Sequence, residues 1–176
     1  GGAGMPVVRN PQFYFRNGFC WTNVLNPNSI YFKCRLKDKT VNDVGSMSLY
    51  DEIMIGDEYF VISLNSYLHF KILREFLNGT VNVQMNDIRK LPIKIPSPEQ
   101  LTLFKSRFNQ CFVIKKQYFD GEIDRSDANK KLKPIENEID DMINDFYGIT
   151  ESIEEIEPEL SEELVEIGDD NDEDDI

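Results

Sequence analysis

A group of polar side chains in the N-terminal part of the chain has the chemistry needed to bind a nucleic acid. Arg and Lys donate hydrogen bonds to guanine and to phosphate oxygens, Asn pairs with adenine, and Thr binds phosphate. In the run SIYFKCRLKDK, the alternation of a strand places three cations on one face. Each residue taken alone could equally be ordinary solvated surface. The candidate DNA-binding residues are Arg9, Arg16, Thr22, Asn23, Lys33, Arg35 and Lys37.

Neither catalysis nor metal binding finds support in the sequence. His69, the single histidine, lies in the middle of a predicted helix, which favours a buried or partly buried structural role. No serine or cysteine lies at a sequence spacing from the histidine that is typical of a nucleophile and its base. Cys20, Cys34 and Cys111 form no CxxC pair, so reduced thiols are expected rather than disulfides or a zinc site. We expect no catalytic residue, no cofactor site and no metal site in this chain.

The formal charge of -13 is unevenly distributed along the chain. Residues 151–176 hold fourteen Asp or Glu and no Lys or Arg, which leaves 18 acidic residues against 19 basic ones before them. Residues 1–95 hold eleven basic and eight acidic residues. This small excess of positive charge is compatible with nucleic-acid binding but does not by itself indicate it. The acidic tail predicts a short helix at most, followed by disorder. The tail either aids solubility or mimics DNA and competes for the basic face.

Aromatic and β-branched runs predict short strands in the N-terminal half. Asn-Gly, Asn-Pro-Asn and Gly turn signals separate these runs. Further along, the alternating VNVQMN and the proline-bounded LPIKIP each predict another strand, the second of them at a sheet edge. The first four predicted strands are Gln12–Phe15, Phe19–Asn23, Ser29–Leu36 and Glu58–Ser63.

Capping signals predict three helices. Either Asn65 or Ser66 caps the first, which runs to about residue 77 and stops at an Asn-Gly pair. Ser97 with Gln100 forms a capping box that opens a long helix to about residue 119. Ser126 opens the last helix, which ends at a glycine at position 148. The two long amphipathic helices are joined by a short turn, so we expect them to pack antiparallel.

These elements predict an α+β fold with a small, irregular, mostly antiparallel sheet and a packed helix, followed by an antiparallel two-helix hairpin and a disordered acidic tail. Residues 1–4 are interpreted as a cloning remnant, 5–96 as the sheet-rich module, 97–150 as the helical hairpin and 151–176 as the tail. No apolar run is long enough to span a bilayer and no signal peptide is recognisable. We therefore expect a cytoplasmic protein with no membrane partner.

Several short sequence patterns follow one another in a recognisable order. SLNS, NGT, NVQMND and LPI lie within Phe60–Pro96, and PSPEQ follows before the long helix. GFCWTN and SIYFKCRL precede this block, and YGIT closes the last helix. Over roughly Arg9–Ile149, this ordered set resembles the TaqI-like C-terminal specificity domain, the target-recognition domain of bacterial adenine-specific DNA methyltransferases and type IIG restriction-modification enzymes.

The resemblance implies a DNA sequence-recognition module from a restriction-modification or phage-defence enzyme. Residues 5–96 would then be the target-recognition module, and double-stranded DNA would be the partner. It also implies an N-terminal methyltransferase domain of the same parent chain, which would bind S-adenosylmethionine and methylate adenine in the duplex that this module positions. A fused endonuclease is left open. This chain is not expected to be an enzyme by itself, because it lacks a Gly-rich cofactor loop and an Asn-Pro-Pro-aromatic motif.

Structural roles are expected for several residues of these patterns, and one alternative function remains open. The specificity-domain patterns themselves are expected to be mainly scaffold, with Asn65, Ser66, Asn86 and Asp87 as structural caps and turns. Trp21 is expected to be a core anchor rather than a base-stacking platform. The alternative function is a protein-protein interaction or spacer module of a restriction-modification specificity subunit, which the neutral body and acidic tail favour.

Overall fold

A three-stranded antiparallel sheet forms the centre of the N-terminal half and positions the candidate residues. The computed structural model describes residues 11–26, 29, 31–40 and 45–150. Within them, β1 (Gly18–Thr22) lies between β2 (Arg35–Lys37) and β3 (Ser46–Leu49). A Cβ at Gly18 would lie 2.6 Å from the carbonyl oxygen of Leu49, so only glycine allows β1 to approach β3 this closely.

Helices make up most of the remaining described chain, and the α+β class predicted from the sequence is confirmed. The Ser97–Gln100 capping box that starts the long fourth helix is present as predicted. Gly148 ends the fifth helix in the left-handed region, with φ 75°. The fifth helix is capped by Asp124 rather than by Ser126. The helices are α1 (Asp57–Leu64), α2 (Tyr67–Ile72) with a π-helical turn (Leu73–Leu77), α3 (Met85–Ile88), α4 (Pro98–Phe119) and α5 (Arg125–Tyr147).

The strand predicted over Glu58–Ser63 is wrong, because this segment is the helix α1. Its apolar residues are buried on both sides: Val61 packs in the core beneath the sheet, and Tyr59 packs in a second core beneath the helix pair. A helix covered all round shows neither the 3.6-residue nor the two-residue period. The sequence marks only the start of this helix, with a glycine before it and two acidic residues in its first turn. In the structure this glycine, Gly56, takes φ 107°.

Four other predicted strands are wrong or shortened. Gln12–Phe15 is largely a 3-10 turn, Pro11–Phe13, and among the described residues of Ser29–Leu36 the last two pair in β2. VNVQMN makes one bridge, from Asn82 to Val24, before α3 begins. LPIKIP forms no strand because its backbone pairs with side chains of other elements instead of a neighbouring strand.

Two hydrophobic cores lie on opposite sides of α1. The first, beneath the sheet, includes Trp21, Leu73 and Val83, and confirms Trp21 as a core anchor. The second joins α1 to the helix pair through Tyr59 and Phe104, and burial of each such side chain contributes about 1.5–3 kcal/mol. The sheet and the helix pair therefore share apolar contacts through one short helix.

The two long helices pack antiparallel, as predicted. Phe104 near the start of α4 stacks close to Phe146 near the end of α5, and further along Arg107 forms an ion pair with Glu138. No helix within the described residues is long and apolar enough to cross a bilayer. The expectations for residues 1–4 and for the acidic tail, 151–176, fall outside the described residues.

Candidate nucleic-acid interface

The predicted row of three cations on one strand face is wrong at Lys37. Lys33 and Arg35 are exposed, but Lys37 is buried and its ammonium donates to the backbone oxygens of Arg16, Asp38 and Thr40 at 2.9, 3.2 and 2.6 Å. Three carbonyls accept hydrogen bonds from this ammonium and stabilise its charge within the fold. Alternation does not reveal this burial, because it depends on the backbone of residues 16, 38 and 40, which lies around the end of β2. Lys37 therefore holds the loop around β2 together.

The Arg16 guanidinium lies beside an aromatic pair. Phe13 and Tyr50 stack with ring centroids 5.2 Å apart, and the Arg16 guanidinium lies 5.5 and 5.0 Å from their centroids. The Tyr50 hydroxyl also donates to the Phe13 carbonyl at 3.0 Å, which fixes the pair. The Arg16 side chain is exposed, so this stacking restricts the guanidinium while leaving it open to solvent. This pairing could not be predicted from the sequence, because Tyr50 is distant along the chain.

Thr22 and Asn23 lie where β1 ends. The Thr22 side chain is exposed and its hydroxyl donates to the Val24 carbonyl at 3.4 Å. The Asn23 backbone is held on both sides, by Gly45 at 2.9 Å and by Val83 at 2.7 Å, and its side chain is partly exposed. A fixed backbone with solvent-accessible polar side chains is suited to contact with a ligand surface.

The antiparallel register distributes the candidates along the edge strand β2 and the central strand β1 beside it. Arg35 lies opposite Cys20 and Lys37 opposite Gly18. Lys33 therefore lies toward the Thr22 end of this edge, and Arg16 lies toward the other end. At about 3.4 Å per residue, residues 16 to 22 extend about 20 Å, longer than the ~12 Å width of a major groove. Arg9, the remaining candidate, lies outside the described residues.

Asn65 fixes the segment that carries two of these cations. Its side-chain oxygen accepts from the Cys34 amide at 2.6 Å, and its side-chain nitrogen donates to the Cys34 carbonyl at 2.7 Å. Cys34 is buried between Lys33 and Arg35 in sequence, so this pairing holds the segment while both cations stay outside. The sequence predicts Asn65 as a cap or turn residue, and its partner lies on a different element. We term Lys33, Arg35 and Arg16 the edge cations.

Of the other predicted caps, Ser66 and Asp87 have structural roles, and no cap role is seen for Asn86. Ser66 caps α2 by accepting from the His69 amide at 3.3 Å. Asp87 accepts from the Gln84 amide at 2.9 Å and from the Asn78 side chain at 2.7 Å, which closes the start of α3. Asn86 is exposed within α3. These residues shape the scaffold and lie apart from the edge cations in sequence.

His69 has the buried structural role that the sequence predicts. Its ring nitrogens lie 3.0 Å from the Ser66 hydroxyl and 3.0 Å from the Pro92 carbonyl, and none of its surface is exposed. Burial lowers the pKa of this imidazole, so the neutral form is favoured. Both ring nitrogens are engaged with the scaffold. His69 therefore links α2 to the segment that precedes α4.

Asp140 of α5 makes a second link between the helix pair and α2. Its carboxylate accepts from the Tyr67 amide at the start of α2, at 2.8 Å, and 4% of the residue is exposed. Burial raises the pKa of this carboxyl to about 6, against the opposing effect of the Tyr67 amide. Among the described residues, no group of His, Cys, Asp and Glu is arranged to hold a metal ion. All three cysteines are free thiols.

No family model matches this sequence, and no curated protein matches it significantly.

Proposed function

We propose that this chain is the DNA sequence-recognition module of an adenine-specific DNA methyltransferase from a restriction-modification or phage-defence system. The observation that carries the proposal is the ordered set SLNS, NGT, NVQMND, LPI and PSPEQ, which resembles a TaqI-like specificity domain. Each of these patterns is common by itself. Their order along the chain defines a scaffold, so the ordered set supports the family resemblance more strongly than any single residue does. The site that such a scaffold would present is the edge of the sheet.

The edge cations supply the chemistry that the proposed function needs. Lys33 and Arg35 are exposed on a segment held by Asn65, and Arg16 is restricted by its aromatic pair. Lysine and arginine on a fixed backbone bind phosphates, while arginine and asparagine also read base edges. Phosphate contacts along this edge would hold the duplex, and Arg16, Thr22 and Asn23 would read bases.

Methyl transfer itself belongs, in this proposal, to a domain encoded earlier in the same parent chain. That domain would bind S-adenosylmethionine and receive the adenine after it is flipped from the duplex. The present module would set which adenine is presented. A parent of this kind acts on bacterial DNA in the cytoplasm and is compatible with a fused endonuclease.

Removing two edge cations tests the proposal. The double variant Lys33→Ala/Arg35→Ala should weaken binding of a fluorescent duplex at low salt. Because each phosphate contact contributes about 0.9 to the slope of log K against log salt, the slope should fall by about 2. Both side chains are exposed, so their removal should leave the free energy of unfolding unchanged within about 0.5 kcal/mol.

A matched control removes two exposed lysines from α5. Lys130→Ala/Lys131→Ala makes the same change in net charge away from the sheet. If the two double variants lower duplex affinity equally, the attraction is a property of net charge and the assignment to the sheet edge is wrong. If neither lowers it, in the chain or in the full parent, the DNA-reading proposal is wrong.

The outer face of α4 favours the alternative function of a protein-binding spacer. Leu103 and Val113 are 55% and 54% exposed there. Val113 lies among mostly uncharged side chains, namely Thr102, Ser106, Asn109 and Gln110, together with Lys105. A mostly uncharged strip with exposed aliphatic residues is typical of a protein interface rather than of a phosphate-binding surface.

One substitution separates this alternative from the leading proposal. Val113→Asp should abolish copurification with a methyltransferase subunit expressed from the neighbouring gene if α4 is a spacer interface, because it buries an unpaired charge. Under the DNA-reading proposal, the same variant should bind duplex as tightly as the unaltered chain. Unchanged copurification would rule out this face as the interface.

A further inference from the structure

The apolar stripe of α4 continues beyond the part of the molecule that covers it. Phe104 is buried in the second core and Phe108 is half-buried beside it. Phe112 and Phe119 follow on the same face, with 52% and 77% of their surfaces exposed. The rings of Phe108 and Phe112 stack with centroids 6.1 Å apart. Large exposed rings in continuity with a core indicate a surface that has an occupant.

The exposed end of the helix pair is also basic. Residues 112–134 hold six Lys or Arg against four Asp or Glu, whereas residues 135–147 hold five acidic residues and no basic one. Lys115 is exposed, and Lys116 is exposed and pairs with Asp120. A segment that covers this end of α4 must therefore present apolar side chains with carboxylates beside them. A second copy of this face would meet it with like charge.

Residues 158–167 of the same chain, PELSEELVEI, have this chemistry. Leu160, Leu164 and Ile167 are spaced i, i+4 and i+7, and glutamates occupy four of the positions between and beside them. A proline at the first position and a glycine after the last are the residues that begin and end helices. The sequence thus predicts a short helix with one apolar face and acidic flanks. This segment lies outside the described residues.

The chain between the two surfaces is long enough to connect them. Phe146, near the end of α5, packs against Phe104 with ring centroids 5.9 Å apart, so the tail starts beside the buried end of the stripe. Phe112 and Phe119 lie about 12 and 22 Å further along α4 at ~1.5 Å per residue. Residues 151–157 span up to about 23 Å when extended. Both exposed rings are therefore within reach.

We propose that residues 158–167 form a helix that docks on this exposed stripe, with its apolar face on Phe112 and Phe119 and its glutamates beside Lys115 and Lys116. The docked segment adds a third helix to the pair and removes two phenylalanine rings from water. It also balances the basic charge at that end of the molecule. The inference is independent of DNA binding, since none of the edge cations contributes to it.

Carbodiimide cross-linking of the full-length protein tests the contact. This reagent joins an amine to a carboxylate that touches it, without a spacer. The expected products link Lys115 or Lys116 to a glutamate between residues 159 and 166. In a mixture of isotope-labelled and unlabelled protein, these products should contain one isotope only. Mixed-isotope products would assign the stripe to a second copy, and the absence of α4-to-tail products would show an uncovered stripe; either result overturns the proposal.

Hydrogen exchange gives an independent measurement in the same full-length chain. The double variant Leu160→Asp/Leu164→Asp should speed exchange of the amides from Phe112 to Phe119 by about fivefold or more, because the docked helix no longer protects that end of α4. Ile176→Asp makes the same kind of change beyond the segment and should leave these rates unaltered. Equal exchange in the unaltered chain and the double variant overturns the proposal, whatever the duplex affinity.

Discussion

At the scale of single residues, Asn65 connects the scaffold to the candidate interface. Its side chain satisfies both the donor and the acceptor of the Cys34 backbone, as a neighbouring strand would. The backbone of a buried residue needs such a partner, and Cys34 precedes β2 without one from the sheet. Lys33 and Arg35 owe their outward position to this pairing. Asn65 is therefore a positioning residue for the edge cations.

Asn65→Ala should lower the free energy of unfolding by about 1–3 kcal/mol, because the Cys34 carbonyl loses its partner and the Cys34 amide keeps only the Phe32 carbonyl, at 3.0 Å. Asn86→Ala, at an exposed position in α3, should change it by less than about 0.5 kcal/mol. Urea denaturation measures both values. Hydrogen exchange at the Cys34 amide distinguishes a local role, since it should accelerate in Asn65→Ala beyond the change at the Val83 amide. Equal acceleration at both amides would show that Asn65 contributes only global stability.

At the scale of elements, α1 and α5 determine how the helix pair sits against the sheet. α1 contributes side chains to both cores, while α5 reaches α2 through the carboxylate of Asp140. This carboxylate accepts from the Tyr67 amide at the start of α2, a group that has no partner within its own helix, and it is largely buried. Burial favours its protonated form, so the contact between α5 and α2 depends on pH.

The stability from Asp140 should fall as pH rises from about 4 to above 6. The folded-state pKa of about 6 exceeds the unfolded value near 4, so the folded chain holds the proton more tightly over that interval. Two pKa units correspond to about 3 kcal/mol. The difference in unfolding free energy between the unaltered chain and Asp140→Asn, measured in urea at pH 4 and pH 7, isolates this group. A difference that does not change with pH would contradict the raised pKa.

At the scale of the whole molecule, the sequence predicts best where one face of an element meets water. α4 and α5 are amphipathic and capped, so their extents and antiparallel packing could be predicted. α1 could not, because it is covered on both sides by cores that form only after folding. Lys37 was misplaced because alternation gives the face of a strand residue but not what covers that face, and here the carbonyls of Arg16, Asp38 and Thr40 surround the ammonium. The contact of Arg16 with Tyr50 and the pairing of Asn65 with Cys34 join residues that are distant in sequence. Contacts of this kind cannot be predicted from the local pattern of a single sequence.

Two phenols hold the connection between the sheet and the helix pair. The Tyr59 hydroxyl of α1 donates to the Lys94 carbonyl at 2.6 Å. The Tyr147 hydroxyl of α5 donates to the Pro92 carbonyl at 2.7 Å and accepts from the Lys94 amide at 2.8 Å. The connecting segment is thereby held from both sides, which opposes bending there. A rotation of the long helices is therefore expected to carry the sheet with it, so a partner that binds those helices would also orient the edge cations.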